Sequence, residues 1–398
     1  MHAAWPATDR DEIRLAAEEH PAFAPAEHWS RVARAQSAMA EEGIELLLLF
    51  DPQSLGYFTG YTSVNLWDFS ALVMPVDGEP RVVLWDFEVP RFEVSANLGD
   101  LFVYAPHADP IPVLVAALDG FRVGTYATDD WAACIAVADW ERVRNHLGTA
   151  RRLDARPVLW RTRLRKSAAE RELLHRSAEL TDVAVRAAHE ALAEGVSDHE
   201  LAATMSAALA RGGSGTPAIA PVVAVGPRAG IPHSEAAGRR VRAGEPVFVE
   251  VGACLSGYTA PIMRTLVVGE PEPQLAALAR TATDAVTAAV EAMQIGTSVH
   301  EVAERAQRVV DADPTAILFH RYFGYPVGFG GPPSWIERLA FHVHTGNDAL
   351  LEEGMVFHIP LSLRHRGVRG VGLSQTVEIT PSGPRTLSRL PAELWRTL

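Results

Sequence analysis

Hydrophobic positions along the chain change period several times, and each change marks an element. Residues 29–42 set apolar side chains on one face at helical spacing, and "IELLLLF" (44–50) after them is a short apolar run suited to a buried strand. "ALVMPVDGEPRVVLW" (71–85) is two β-rich runs around Asp77-Gly78, the strongest short hairpin signal. Helix, buried strand and hairpin predict an α/β domain, assigned to residues 1–160. The basic stretch "RTRLRKS" (161–167) opens a second domain, 161–398. There Ser167 and Glu170 have capping-box spacing ahead of a helical stripe of Leu173, Leu174, Leu180 and Val183 that runs to Gly195.

The second domain contains an echo. "GVSDHELA" (195–202) and "GTSVHEVA" (296–303) agree at five of eight positions. Each follows an Ala-rich helix and starts another through an S-x-x-E cap, which predicts two related halves. After each echo come strands and Gly/Pro-rich loops, "PVVAVGPRAGIPHSE" (221–235) and "FHRYFGYPVGFGGPPSW" (319–335), and two more strands follow at 354–363 and 370–380. If the halves pack about a pseudo-twofold axis, these loops converge on one cleft.

One strand pair breaks its own pattern. "VFVEVGACLSGYTAPIMRTLVVG" (247–269) is two apolar runs joined by a Gly turn, yet it carries Glu250 in the first and Pro261 eleven positions later. Alternation puts Phe248, Glu250 and Gly252 on one side. A buried carboxylate needs partners or a raised pKa, so Glu250 is either a structural acid or a catalytic one.

Composition narrows the classes. A chain of 398 residues with 48% hydrophobic and 21% charged residues is ordinary globular material for two domains, and a net charge of −13 argues against a nucleic-acid surface. Cys134 and Cys254 are the two cysteines, without a CxxC pair, so neither a disulfide framework nor a cysteine zinc site is supported. The charged N-terminus lacks the apolar core of a secretion signal, and no run of about 18 apolar residues is present. The expectation is a cytoplasmic protein with no membrane partner.

Together these residues resemble the creatinase/aminopeptidase P superfamily with the pita-bread fold, over most of the chain and including its smaller α/β N-terminal domain. Metallopeptidases of that family carry an Asp on one strand and another eleven positions later, followed by Arg-Thr. This chain retains Gly257-Tyr258 and Arg264-Thr265 but has Glu250 and Pro261 at the ligand positions. The family's "GHGxG" loop corresponds to "GYPVG" with Tyr325 for histidine, its "GMVFTIEP" to "GMVFHIPL" with Pro360 for glutamate, and its Glu-Asp-Thr strand to "LSQT" with Ser374. Hard divalent metals need several carboxylate oxygens, so the resemblance implies no dinuclear metal site here, and no cofactor. It points instead to the metal-independent branch, creatinase and ectoine hydrolase. "GYPVGFGGPPSWIER" (324–338), the Glu250/Pro261 strand pair and "FDPQSLGYFTGY" (50–61) are most similar to ectoine hydrolase. The departures are Ser374-Gln375, where ectoine hydrolases carry an acidic residue, and Met263, where creatinase has a glutamate.

The resemblance implies a metal-independent hydrolase that cleaves a C–N bond in a small amidine, guanidine or cyclic amide-like compound, and a homodimer. Two alternatives stay open: a lyase, cyclase or isomerase on the same scaffold, and a catalytically inactive binding module such as the histone-chaperone subunits of this fold. The catalytic candidates are Glu250, as nucleophile or general base, and His233 in "GIPHSE", as proton donor to a leaving nitrogen. Tyr325 and Trp335 are candidates for an aromatic wall facing a cationic group. The further substrate-binding candidates are His358, which neighbours a ligand position, Tyr258 of the retained Gly-Tyr pair, and Tyr57 and Trp67 from the N-terminal domain across the implied dimer interface. Arg264 is read as an anchor of the strand pair.

Overall fold

Leu46–Leu49, apolar at every position, is fully buried within a six-stranded mixed sheet of the first unit, as a strand covered on both faces should be. The computed structural model describes residues 10–18, 21–121, 123–313, 320–337 and 341–397. The packing divides the chain into two units, Met1–Arg163 and Leu164–Leu398. In the first, the strand order is Asp100–Tyr104, Arg81–Trp85, Ala71–Pro75, Leu46–Leu49, Thr125–Thr128, Arg151–Asp154. The expected hairpin is present as Ala71–Pro75 paired antiparallel with Arg81–Trp85, with Gly78 at φ 104 in its turn. The helix read from 29–42 begins earlier, at Pro25, because proline suits a first turn whose N–H groups have no partner. It ends at Gly43, in the left-handed conformation.

The second unit has the doubled plan that the echo predicted. Helices Ala168–Glu190 and Asp198–Arg211 accompany a sheet ordered Leu394–Thr397, Ile262–Val268, Val247–Val251, Val222–Val225. Helices Pro273–Ala292 and Val299–Asp311 accompany a sheet ordered Tyr325–Pro326, Val356–His365, Arg369–Thr380, Gly383–Thr386. Ser197 and Ser298 cap the second helix of each pair, accepting from the backbone of Glu200 and Glu301. Ser167 and Glu170 form the predicted capping box. The stripe on the helix they start differs from the expected one. Val183 is half exposed, and the buried face is Leu174, Ser177, Ala178, Thr181, Ala184, Val185 and Ala188. Small side chains let the helix approach the sheet closely enough for Ser177 Oγ to donate to Ala253 O at 2.7 Å and accept from Ala260 N at 2.8 Å.

The two sheets meet between Ile262–Val268 and Arg369–Thr380. Arg264, fully buried, donates to Met263 O, Ser374 O and Leu390 O, each at 2.7 Å. Thr376 Oγ1 donates to Pro261 O at 2.7 Å, and Thr265 Oγ1 accepts from Gly372 N at 2.9 Å. Arg264 is therefore the anchor its position suggested, tying one strand of each sheet together.

Candidate active site

The strand Val247–Val251 separates two environments by its period of two. Val247, Val249 and Val251 pack with Val185, Leu201 and Met205 of the first helix pair. Phe248 and Glu250 face the other way, with Met263 directly across from Glu250 on the neighbouring strand. Glu250 keeps a narrow contact with solvent while its flanking valines have none. Loss of hydration by burial pushes its carboxyl up to about 7, and the nearby Arg364 guanidinium pulls against that rise. The same site depresses Arg364, first through burial, with the Glu250 charge opposing.

Arg364 was not anticipated, although an arginine inside the apolar run "VFHIPLSLRH" is a signal that could have found it. Its Nη1 donates to Ala229 O at 2.7 Å and to Ile231 O at 3.0 Å, and the guanidinium lies 5.2 Å from the Phe248 ring centroid. Phe248 takes this position because residue 372 is glycine. A Cβ there would overlap the Phe248 ring.

On the other sheet, four of the residues singled out from the sequence form one buried chain. Trp335 Nε1 donates to Tyr325 Oη at 3.1 Å; Tyr325 Oη is 2.8 Å from His358 Nδ1; His358 Nε2 is 2.8 Å from Ser374 Oγ. Ser374 Oγ also accepts from Met263 N at 2.6 Å, on the strand opposite Glu250. Sheet register makes this possible: Tyr325 pairs with His358, and Pro360, two residues on, pairs with Ser374. Gly324 allows the close approach of the first pair, since a Cβ there would lie 2.7 Å from His358 O. Burial, then Arg264, lowers the His358 pKa to about 3, so the ring is neutral at physiological pH. Burial, then the Glu250 charge, raises the Tyr325 phenol well above its ordinary value. The loop that carries Trp335 is held from below by a buried ion pair, Lys166 Nζ to Glu337 Oε2 at 3.4 Å.

The remaining candidates are more scattered. His233 is exposed, at φ 56, on the loop after Val222–Val225, and belongs to the electrostatic surroundings of His320. His320 stacks on Tyr322 at 4.0 Å between centroids, and Tyr322 on His342 at 4.9 Å, an aromatic row with no sequence signal. Trp335 is buried with its indole N–H engaged, so it supports Tyr325 from behind and does not present the open aromatic wall that the sequence suggested. Tyr258 is fully buried, its hydroxyl donating to Glu170 Oε1 at 2.9 Å. In the first unit Tyr57 is buried between Arg31 and Arg163, with its hydroxyl donating to Thr162 O at 2.8 Å, while Trp67 is largely exposed. Phe319 and Arg338, the ends of two quoted loop motifs, lie outside the described residues.

With the doubled fold and this cluster in place, comparison with known proteins becomes specific. The profile of Metallopeptidase family M24 matches residues 172–381, and that of the Creatinase/Prolidase N-terminal domain matches residues 31–165. The chain belongs to the M24 family. A putative dipeptidase, YkvY, of Bacillus subtilis is 25% identical over 92% of this chain and 99% of its own length. The crystal structure of dipeptidase PepE from Mycobacterium ulcerans superposes with a TM-score of 0.82 at 25% identity, covering 94% of this chain and 99% of that one. Ectoine hydrolase of Halomonas elongata is 23% identical over 94% of this chain and 98% of its length.

These relatives correct the expected substrate class. Proteins that match this M24 chain almost end to end are named as dipeptidases, which overturns the expectation of a hydrolase for amidine, guanidine or other non-peptide C–N bonds. The similarity to ectoine hydrolase is real but lower in identity. The short motifs behind that expectation report how the ligand positions were replaced, and such replacements do not by themselves specify a substrate.

The family name implies metal, and the donors here do not fit a two-metal centre. At the five positions where the resemblance places ligands, Pro261 and Pro360 have no side-chain donor. The Tyr325 and Ser374 hydroxyls are engaged with His358, and both of its ring nitrogens are taken. Glu250 alone supplies a carboxylate, and among the described residues no group of three His, Cys, Asp or Glu side chains is placed to hold an ion. Among those residues, too, no helix is long and apolar enough to cross a membrane.

Proposed function

We propose that this M24 protein hydrolyses the peptide bond of a dipeptide-sized substrate without a metal ion, using Glu250 as general base. One observation carries the reading: at a position where the resemblance places a ligand, burial raises the Glu250 carboxyl to about 7, with Arg364 and Tyr325 in its electrostatic surroundings. A base of that pKa is half ionised at neutral pH, where Brønsted behaviour makes it most useful. Glu250 takes a proton from water as the new C–O bond forms and the carbonyl π pair moves onto oxygen. Collapse restores the carbonyl, breaks the C–N bond and passes the Glu250 proton to the leaving nitrogen, giving an acid and an amine. In this proposal the exposed His233 exchanges protons between the site and solvent.

The test is a panel of dipeptides, Xaa-Pro included, incubated with protein stripped by a chelator. Turnover should persist in the chelator, and Glu250→Gln should lose on the order of 10²–10⁴ in kcat. Activity abolished by the chelator and restored by Mn or Co would overturn the metal-free reading, and an inert panel would overturn the peptidase reading.

A further inference from the structure

The buried chain holds one proton more than its links can use. Among the described residues Ser374 Oγ has two partners, the Met263 N–H and His358 Nε2. Tyr325 Oη also has two, the Trp335 indole N–H and His358 Nδ1. The two outer partners can only donate, and a neutral imidazole carries one ring proton. Three protons, those of Ser374, His358 and Tyr325, therefore serve two links. One hydroxyl proton is left over, and the ring tautomer decides which.

If Nε2 carries the ring proton, Ser374 accepts from both sides and its own proton has no acceptor. Ser374 is fully buried, and an unmet buried donor costs about 1–3 kcal/mol. If Nδ1 carries it, Ser374 donates to Nε2, Tyr325 accepts from both Trp335 and His358, and the phenol proton is the free one. Tyr325 is the member of the chain that feels the Glu250 charge. Tyr325 is buried as well, yet it keeps 4% exposure where Ser374 has none, so the second arrangement leaves the spare proton on the hydroxyl that an incoming acceptor can reach.

We propose that the Tyr325 O–H is the hydrogen-bond donor to the oxyanion that forms on the substrate carbonyl, with His358 in its Nδ1–H form and Ser374 as positioning residues that keep that proton free. The reaction it serves rests on the hydrolytic reading above; the tautomer does not. As water adds, the carbonyl oxygen gains the π pair and the phenol shares its proton with it without giving it up. When the C–N bond breaks, the pair returns and the hydrogen bond weakens. Two accepted hydrogen bonds fix the direction of the phenol before substrate arrives, so little reorganisation is needed at the transition state.

Nitrogen NMR of wild-type protein labelled at its histidine rings, at neutral pH and without ligand, reads the tautomer directly. A protonated Nδ1 and bare Nε2 for His358, assigned through loss of the signal in His358→Gln, is the expected result. A protonated Nε2 would overturn the proposal whatever the protein hydrolyses, because the phenol proton would then be spent on the ring. Tyr325→Phe, assayed on a dipeptide that the wild type cleaves, should lose about 10²–10³ in kcat with KM changed by less than about threefold. Unchanged kcat in a folded Tyr325→Phe protein would overturn it as well. Should the wild type leave every dipeptide intact, the peptidase reading fails and the imidazole spectrum still decides whether the phenol is the spare donor.

Discussion

Replacing Glu250 with glutamine should make the protein more stable at neutral and alkaline pH and leave it nearly unchanged in acid. An unfolded chain titrates this carboxyl near 4.5, whereas in the folded site it titrates at about 7. The folded state thus binds the proton more tightly. The stability the protonated carboxyl contributes is fully present below about pH 4.5 and is lost as the pH rises through 7. A rise of roughly 2.5 pH units at about 1.36 kcal/mol each is about 3 kcal/mol carried as a penalty once the group is ionised. Glutamine has nearly the same shape and never ionises. Two effects make about 3 kcal/mol an upper figure: the narrow solvent contact of Glu250 screens its charge, and the substitution removes the negative charge opposing the depression of Arg364. Urea unfolding of wild type and Glu250→Gln at about pH 5 and about pH 8.5 separates the possibilities. The two proteins should nearly coincide at the lower pH, and the variant should gain about 1–3 kcal/mol at the higher. A variant equally stable or weaker at the higher pH would mean that the carboxylate is well satisfied in the fold, and the argument for a poised base would fail with it.

Arg264→Met should cost about 3 kcal/mol or more, because the carbonyls of Met263, Ser374 and Leu390 lose their shared donor inside the seam between the sheets; urea unfolding measures it. Gly372→Ala should cost about 1–3 kcal/mol by forcing Phe248 from beneath Arg364, and a double-mutant cycle with Phe248→Leu should show the two sites strongly coupled. Ser197→Ala and Ser298→Ala should each cost about 1 kcal/mol in thermal unfolding and add in the double variant, since each caps its own helix in a different half.

What the sequence by itself determined about this protein is mostly local. The buried strand Leu46–Leu49, the hairpin about Asp77-Gly78, the capping box at Ser167 and the paired caps at Ser197 and Ser298 depend on neighbours within a few positions, and all of them are where the pattern put them. The two-domain pita-bread plan followed from the order of such elements and from the family resemblance, and Glu250 was exposed as unusual by alternation alone. The substrate class was misjudged because it leaned on a few replaced motif positions, whereas likeness along the whole chain points to dipeptidases. Tertiary structure decided the partners. A period of two says which face a side chain is on, but not what meets it there. Register between strands distant in sequence joined Tyr325, His358 and Ser374 into one chain and set Met263 across from Glu250. The absence of a side chain at Gly372 placed Phe248, and with it Arg364. Tyr57 and Tyr258, similar in sequence terms to Tyr325, spend their hydroxyls on Thr162 and Glu170 instead. Hydrogen-bond partners are fixed by distances of about 3 Å between atoms that the chain brings together from afar, and that proximity exists only once both sheets are packed.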